Sequence, residues 1–328
     1  LKLSESKASD SDETTIAMAF TADDPVVKPL NWANSPYWLR QTLSVERKTY
    51  RQTSRPMSLN RLKGLLHPNL NQPIFILGSP RSGTTFLGSC IAELPEISYH
   101  YEPVATKAAA RYIYHQEWNF NQAKQYYWAV YAWLMRLHAN GDLRFAEKTP
   151  RNCFLVDFLY RAFPDAQFIH IIRDGRDSAL SHSKQPWLQA AAAKSNLRET
   201  SGYRHGPYAR FWVETERVHE FETTSDIHRC IWAWRRHVST ILESVQTLPA
   251  AQYYELRYEN LVTQPQQEAQ ALLNYLNIHS VESCEKLYHA FARARADSID
   301  GWRRELSAAD LQQIDDEAGF LLQRLGYG

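Results

Sequence analysis

The chain has 328 residues, 44% hydrophobic and 22% charged, a composition that supports a sizeable folded core and excludes a disordered or staple-dependent protein. Thirty-seven Lys and Arg face 36 Asp and Glu, and the net charge of +1 excludes a chain whose main task is coating nucleic acid, so any anion site must be local. No apolar run is long enough to span a bilayer and the first residues lack the apolar stretch of a signal peptide; the reading is cytoplasmic, with a lumenal catalytic fragment left open because the chain starts at Leu1.

Residues 1–28 are polar, rich in Ser and acidic side chains, and lack periodicity, which predicts a flexible tail ahead of a single domain over 29–328. From Pro36 to Leu66 the mixture of aromatic and basic residues suggests helical or irregular structure packed onto that domain. Ile74-Phe75-Ile76-Leu77 is a continuous apolar run between Pro73 and Gly78, as expected of a buried parallel strand, and Thr84 to Leu94 then carries helical spacing up to Pro95. The aromatic-rich stretch from Arg111 to Leu137 is read as core in preference to a pocket wall. Phe168 to Ile172 forms a second buried strand, followed by "RDGRDSALS", in which Asp177 is expected to cap a helix starting near Ser178. Ile227, Ile231, Trp234, Val238, Ile241 and Val245 mark a helix with one buried stripe. A third strand over Gln252 to Tyr258 precedes a helix from about Pro265 to Leu276. This alternation predicts an α/β fold, a parallel β-sheet flanked by helices and joined by right-handed crossovers.

Cys90, Cys153, Cys230 and Cys284 are widely spaced and show no metal rhythm, so they read as buried free thiols. No heptad seam speaks to oligomeric state.

Gly78-Ser79-Pro80-Arg81-Ser82-Gly83-Thr84-Thr85 has the glycine spacing of a loop whose backbone N–H groups cradle phosphate oxygens at a helix N-terminus. The Lys that a nucleoside triphosphate would need after the second Gly is replaced by Thr84, and the cation sits inside the loop as Arg81. Such a loop suits a single phosphate, with Arg81 reaching beyond it.

"SPRSGTTFL", Ser79 to Leu87, resembles the 5′-phosphosulfate loop of sulfotransferases that use 3′-phosphoadenosine 5′-phosphosulfate (PAPS) and release adenosine 3′,5′-bisphosphate (PAP). "RDGRDSALS" resembles that family's 3′-phosphate site, which points to Arg173 and Ser181. "DGWRRELS" resembles its Gly-Trp-basic segment over the 3′-phosphate and adenine, which adds Gly301, Trp302, Arg303 and Arg304. "EKTP" at Glu147 to Pro150 and "RYENL", which contains Tyr258, are similar to stretches of the bacterial and Golgi-like branch. The resemblance runs from about Pro73 to Tyr327. It implies that Ser79, Pro80, Arg81, Ser82, Gly83, Thr84, Thr85 and Phe86 bind the cofactor together with the residues above.

The resemblance also implies a P-loop-like sheet with a helical acceptor-binding region, and an in-line sulfuryl transfer to a hydroxyl or amine. Arg81 would neutralise the leaving phosphate, Thr84 and Thr85 would donate hydrogen bonds, and Lys148 would contact the sulfuryl group. Pro150 stands where the cytosolic members of the family carry the His that serves as base, so the base must come from elsewhere. Glu102 in "YHYEP" is the first choice, His100 its nearest rival, and His182 and His205 stay open. No metal motif is present and none is expected for this transfer. The resemblance leaves glycan, peptide and natural-product acceptors open, and a small-molecule metabolite or natural product is the expectation ahead of a glycan. A P-loop nucleotide kinase or NTPase, and a non-catalytic nucleotide-binding protein, remain the competing classes.

Overall fold

The computed structural model describes residues 28–51 and 55–328; the tail expected over 1–28 lies, up to residue 27, outside the described residues. Five strands form one sheet: β1 (Ile74–Leu77), β2 (Ile97–Tyr101), β3 (Arg144–Lys148), β4 (Gln167–Ile172) and β5 (Tyr253–Arg257). Their spatial order is β2-β3-β1-β4-β5, and every neighbouring pair is parallel. Helices cover both faces, which is why β1 is apolar at every position: all four of its residues are fully buried. Phe75 and Leu77 face a core shared with Phe145 and Phe168, whereas Ile74 and Ile76 face a second core with Ala146 and Ile169.

Strands β2 and β3 were not among the expected ones. The sequence of β3, Arg-Phe-Ala-Glu-Lys, looks solvent-exposed, yet Glu147 and Lys148 are both buried. Burial is tolerated because Glu147 accepts from Tyr131 (2.6 Å), Thr149 (3.1 Å) and Asn152 (2.5 Å), so its carboxylate is not left without partners. Burial still dominates its titration and pushes Glu147 up to about 6.

The segment before the sheet folds as helices Ser35–Thr49 and Leu59–Leu66, consistent with the expectation that it packs onto the domain. Tyr126, Tyr127 and Tyr131 of helix Phe120–Leu137 are core residues, as read. Helix Asp226–Ser244 departs from its single expected stripe: Arg229, Cys230, Trp232, Ala233 and His237 are buried as well, because the helix packs against both helix Gly175–Ser183 and helix Ala308–Arg324. All four cysteines are free, and three are buried. Among the described residues no helix is long and apolar enough to cross a membrane.

The sheet order places the site. The chain moves from β1 outward on one side to β2 and β3, then returns to β4 on the other side of β1. In a parallel sheet such a reversal opens a crevice at the strand C-termini. Arg81, Glu102, Lys148, Arg173 and Tyr258 sit at the C-terminal ends of β1 to β5 in turn.

Candidate active site

The turn after β1 is built on backbone conformations that few residues adopt. Gly78 (φ 153°) and Gly83 (φ 93°) flank Arg81, which itself holds φ 71°. Gly83 has a second reason to lack a side chain, since a Cβ there would lie 2.6 Å from the Tyr258 ring. Gly83 caps helix Thr84–Ile91, so the helix N-terminus and the turn face the same space. Arg81 Nε donates to Ser181 Oγ at 3.0 Å, and Arg173 Nη1 donates to the Arg81 carbonyl at 3.1 Å. The loops after β1 and β4 are thereby joined. Burial, and then the nearby Arg173 charge, disfavour the Arg81 guanidinium and lower its pKa.

After β4, helix Gly175–Ser183 begins earlier than expected and is capped by Asp174, whose carboxylate accepts from Arg176 N at 2.8 Å. Asp177 is therefore not the cap. It accepts from the backbone N–H groups of Asp300 (2.9 Å) and Trp302 (3.0 Å), so it braces the "DGWRRELS" segment against the strand end. Arg173 lies 5.0 Å from the Tyr258 ring centroid and also donates to the Ser298 carbonyl. Its Nε is buried and has no hydrogen-bond partner.

At the ends of β2 and β3 the proposed catalytic pair meets directly. Lys148 Nζ bonds one Glu102 oxygen, and Lys107 Nζ bonds the other at 2.6 Å. Glu102 has φ 41°, with its N–H donated to the Lys148 carbonyl at 3.0 Å. Burial is the largest single influence on its carboxyl and favours the neutral form, but Lys107 and then Lys148 outweigh it and hold Glu102 well below the usual carboxylate range. Lys148 also sits 4.2 Å from the Tyr101 ring centroid.

These side chains line one cavity of about 1140 Å³, and ten cationic against five anionic side chains surround it in a chain whose net charge is +1. Pro80, Arg81, Gly83, Thr84, Thr85, Phe86, Glu102, Lys148, Arg173, Ser181, Tyr258, Gly301 and Arg304 from the sequence reading are all on its wall, as are His182 and His205. Burial pushes His182 down to about 3 and also lowers His205.

Other expected residues stand elsewhere. His100 does not reach the cavity: the pleat of β2 turns it to the opposite face, where it is fully buried and its Nδ1 lies 3.1 Å from Glu46 Oε1. Ser79 and Ser82 are buried behind the turn, with Ser82 Oγ 3.2 Å from Ser178 Oγ. Trp302 packs inward beneath Arg176, and Arg303 points outward to pair with Asp300 at 3.0 Å.

Several residues of the wall were missed. Lys107, Arg151, Glu199 and Arg210 form a charged cluster on the side away from Arg173, in which Arg151 pairs with Glu199 at 2.8 Å and Arg210 lies 3.6 Å from it. They come from separate parts of the chain, and only "PRN" after the expected Lys148 stretch offered a nearby signal. Arg295 joins the opposite end from the segment before residues 300–304.

Comparison with known proteins supplies an independent line. The family model described as "Sulfotransferase family" matches residues 73–282. An uncharacterized protein of Aquifex aeolicus is 27% identical over 278 residues, which is 78% of this chain and 31% of that protein, so the chain spans about a third of that relative. A Caenorhabditis briggsae protein provisionally named a protein-tyrosine sulfotransferase is 24% identical over 285 residues, covering 79% of this chain and 90% of that protein. Among solved structures, the sulfotransferase STF9 from Mycobacterium avium matches with a TM-score of 0.55 at 12% identity over 98% of both chains, a likeness of fold.

Proposed function

The chain belongs to the sulfotransferase family, and from that premise we propose that it transfers the sulfuryl group of PAPS to a hydroxyl or amine of a small-molecule or glycan acceptor. The observation that carries this reading is the junction of two anion-suited turns at Arg81, Arg173 and Ser181, with a buried Arg173 Nε that has no protein partner. Two separated anionic groups on one ligand would fit two such turns, and the Arg81–Arg173 repulsion is what an anion between them would relieve. When bound, PAPS supplies an activated sulfuryl group joined to a phosphate that leaves as part of PAP.

In this reading Arg173 and Ser181 hold the 3′-phosphate, with Arg304 on the same wall. The turn over 78–83 and the hydroxyls of Thr84 and Thr85 hold the 5′ end, where Arg81 offsets the charge that grows on the leaving oxygen. Lys148 binds the sulfuryl oxygens. Glu102 takes the acceptor proton as the acceptor oxygen or nitrogen forms its bond to sulfur. Held ionised by two lysines, it is in the protonation state that this role needs.

Calorimetric titration with PAP beside ATP, in EDTA, tests the reading. Tight PAP binding and weak ATP binding are expected, since Thr84 stands where a triphosphate would need Lys. A preference for ATP would replace this reading with the kinase or NTPase class. PAP binding without any PAPS turnover would leave a nucleotide-binding protein that lacks chemistry.

A further inference from the structure

We propose that Lys107 is a positioning residue for this transfer: it holds the Glu102 carboxylate at the transfer point once Lys148 is engaged by the sulfuryl group. The inference rests on the sulfotransferase reading above and adds a residue that the sequence did not single out.

The geometry divides the Glu102 carboxylate between two lysines, one oxygen each. Lys148 has three N–H donors and can bond Glu102 and sulfuryl oxygens together, but its single charge is then divided between them and its hold on Glu102 weakens during turnover. Lys107 is under no such demand. Its helix, Val104–Tyr114, starts two residues after Glu102, and its Nζ lies 2.6 Å from Glu102 Oε2 and 3.8 Å from Glu199 Oε2. Both members of the Lys107–Glu102 pair are only 14% exposed, so water screens the interaction weakly.

The surroundings keep Lys107 in place. Arg151 donates to the Lys107 carbonyl at 3.0 Å and at the same time pairs with Glu199, so one guanidinium fixes both the backbone of Lys107 and its second acidic partner. The Glu102 backbone is fixed separately by its bond to the Lys148 carbonyl. What remains free to move is the Glu102 side chain, and Lys107 is the group that restrains it.

Charge points the same way. Besides the two lysines, the carboxylates of Glu147 and Glu199 interact with Glu102 and favour its protonation, whereas the hydroxyls of Tyr99 and Tyr101 are kept neutral by burial and add no charge. With Lys148 shared with the donor and Lys107 absent, Glu102 would lose most of the cationic charge that offsets its burial, so its pKa would rise and its carboxylate would no longer be held in place.

The test uses the whole chain as wild type, Lys107→Met and Lys107→Arg, with Lys107→Gln in reserve should the Met variant fail to fold. Glutamate 13C-carboxyl shifts are followed against pH, with the Glu102 signal identified by its loss in Glu102→Gln. PAPS consumption with water as acceptor is followed over the same pH range, and PAP affinity is measured by calorimetry. In Lys107→Met the Glu102 titration should move up by about one pH unit or more with the carboxylate still ionised near neutral pH, and turnover there should fall about tenfold or more because the carboxylate is no longer held at the transfer point. PAP affinity should stay near wild type, and Lys107→Arg should restore most of the loss. A folded, PAP-binding Lys107→Met or Lys107→Gln variant whose Glu102 titration and rate profile match wild type would overturn the proposal. Failure of the wild type to bind PAP would strike the sulfotransferase reading instead, while the carboxyl titration would still report whether Lys107 governs Glu102.

Discussion

Arg81 and Glu102, both on the cavity wall, are non-glycine residues in the left-handed region, as are six others among the described residues. Holding such a backbone costs on the order of 1–3 kcal/mol and persists only where the surroundings impose it. At Glu102 the result is a carboxylate turned to meet Lys148 and Lys107. Glu102→Gln should lower turnover by about 10²- to 10⁴-fold and leave PAP affinity in place; full residual activity would shift the base to His182 or His205, because His100 lies outside the cavity. Gly83→Ala makes a different demand, since it combines φ 93° with a Cβ only 2.6 Å from Tyr258. It should destabilise the protein by about 1–3 kcal/mol and weaken PAP binding as Tyr258 and Arg173 shift together. A variant that melts and binds like wild type would show that the turn can relax without them.

At the scale of elements, the site is the set of five strand ends, and that arrangement explains which parts were legible. The turns after β1 and β4 could be read because glycine spacing, a continuous apolar strand and a following helix are all local in sequence. Strand β3 could not, because its buried Glu147 and Lys148 depend on Tyr131 and Glu102, partners 16 and 46 residues away along the chain. His100 was misjudged for a related reason: two residues apart on a strand would share a face with Glu102, but β2 ends at Tyr101 and Glu102 turns into the left-handed region at φ 41°, so the alternation does not carry across to it. Asp177 shows the same limit, since it reads as a helix cap but braces a segment 123 residues away. Asp177→Ala should lower PAP affinity even though the brace acts through backbone N–H groups, because Gly301 and Arg304 would lose their anchor. Arg173→Ala should cost about 1.5–3 kcal/mol of binding through a lost charge-assisted bond. Unchanged PAP affinity in Arg173→Ala would mean that the 3′-phosphate binds elsewhere.

For the whole molecule, the question is how the segment ahead of the sheet, outside the matched residues 73–282, is held to the rest. Glu46 of helix Ser35–Thr49 is 1% exposed and lies 3.1 Å from His100 Nδ1 on β2 and 3.1 Å from His138 Nε2 beyond helix Phe120–Leu137. Val45, its neighbour, reaches the cavity wall, so this docking also shapes the site. Burial, the largest influence on Glu46, favours its neutral form, but the His100 charge and the hydrogen bonds from both imidazoles together lower its pKa from 4.5 to about 2. A carboxylate whose folded pKa lies below its unfolded value contributes stability that is present above about pH 4.5 and is lost as pH falls toward about 2. Other depressed carboxylates, Glu199 and Glu317 among them, act in the same window, so the acid loss of the wild type alone does not isolate Glu46. The difference between wild type and Glu46→Gln does. Near neutral pH the variant should be less stable by about 3–5 kcal/mol, because two imidazoles lose a buried anionic partner. Below pH 4.5 that difference should shrink steadily, because Glu46 of the unfolded wild type takes up a proton that the folded protein accepts only near pH 2. Parallel melting curves for the two proteins from pH 7 down to 3 would mean that the ion pair contributes nothing and that packing around Trp38 and Thr42 holds the helix in place.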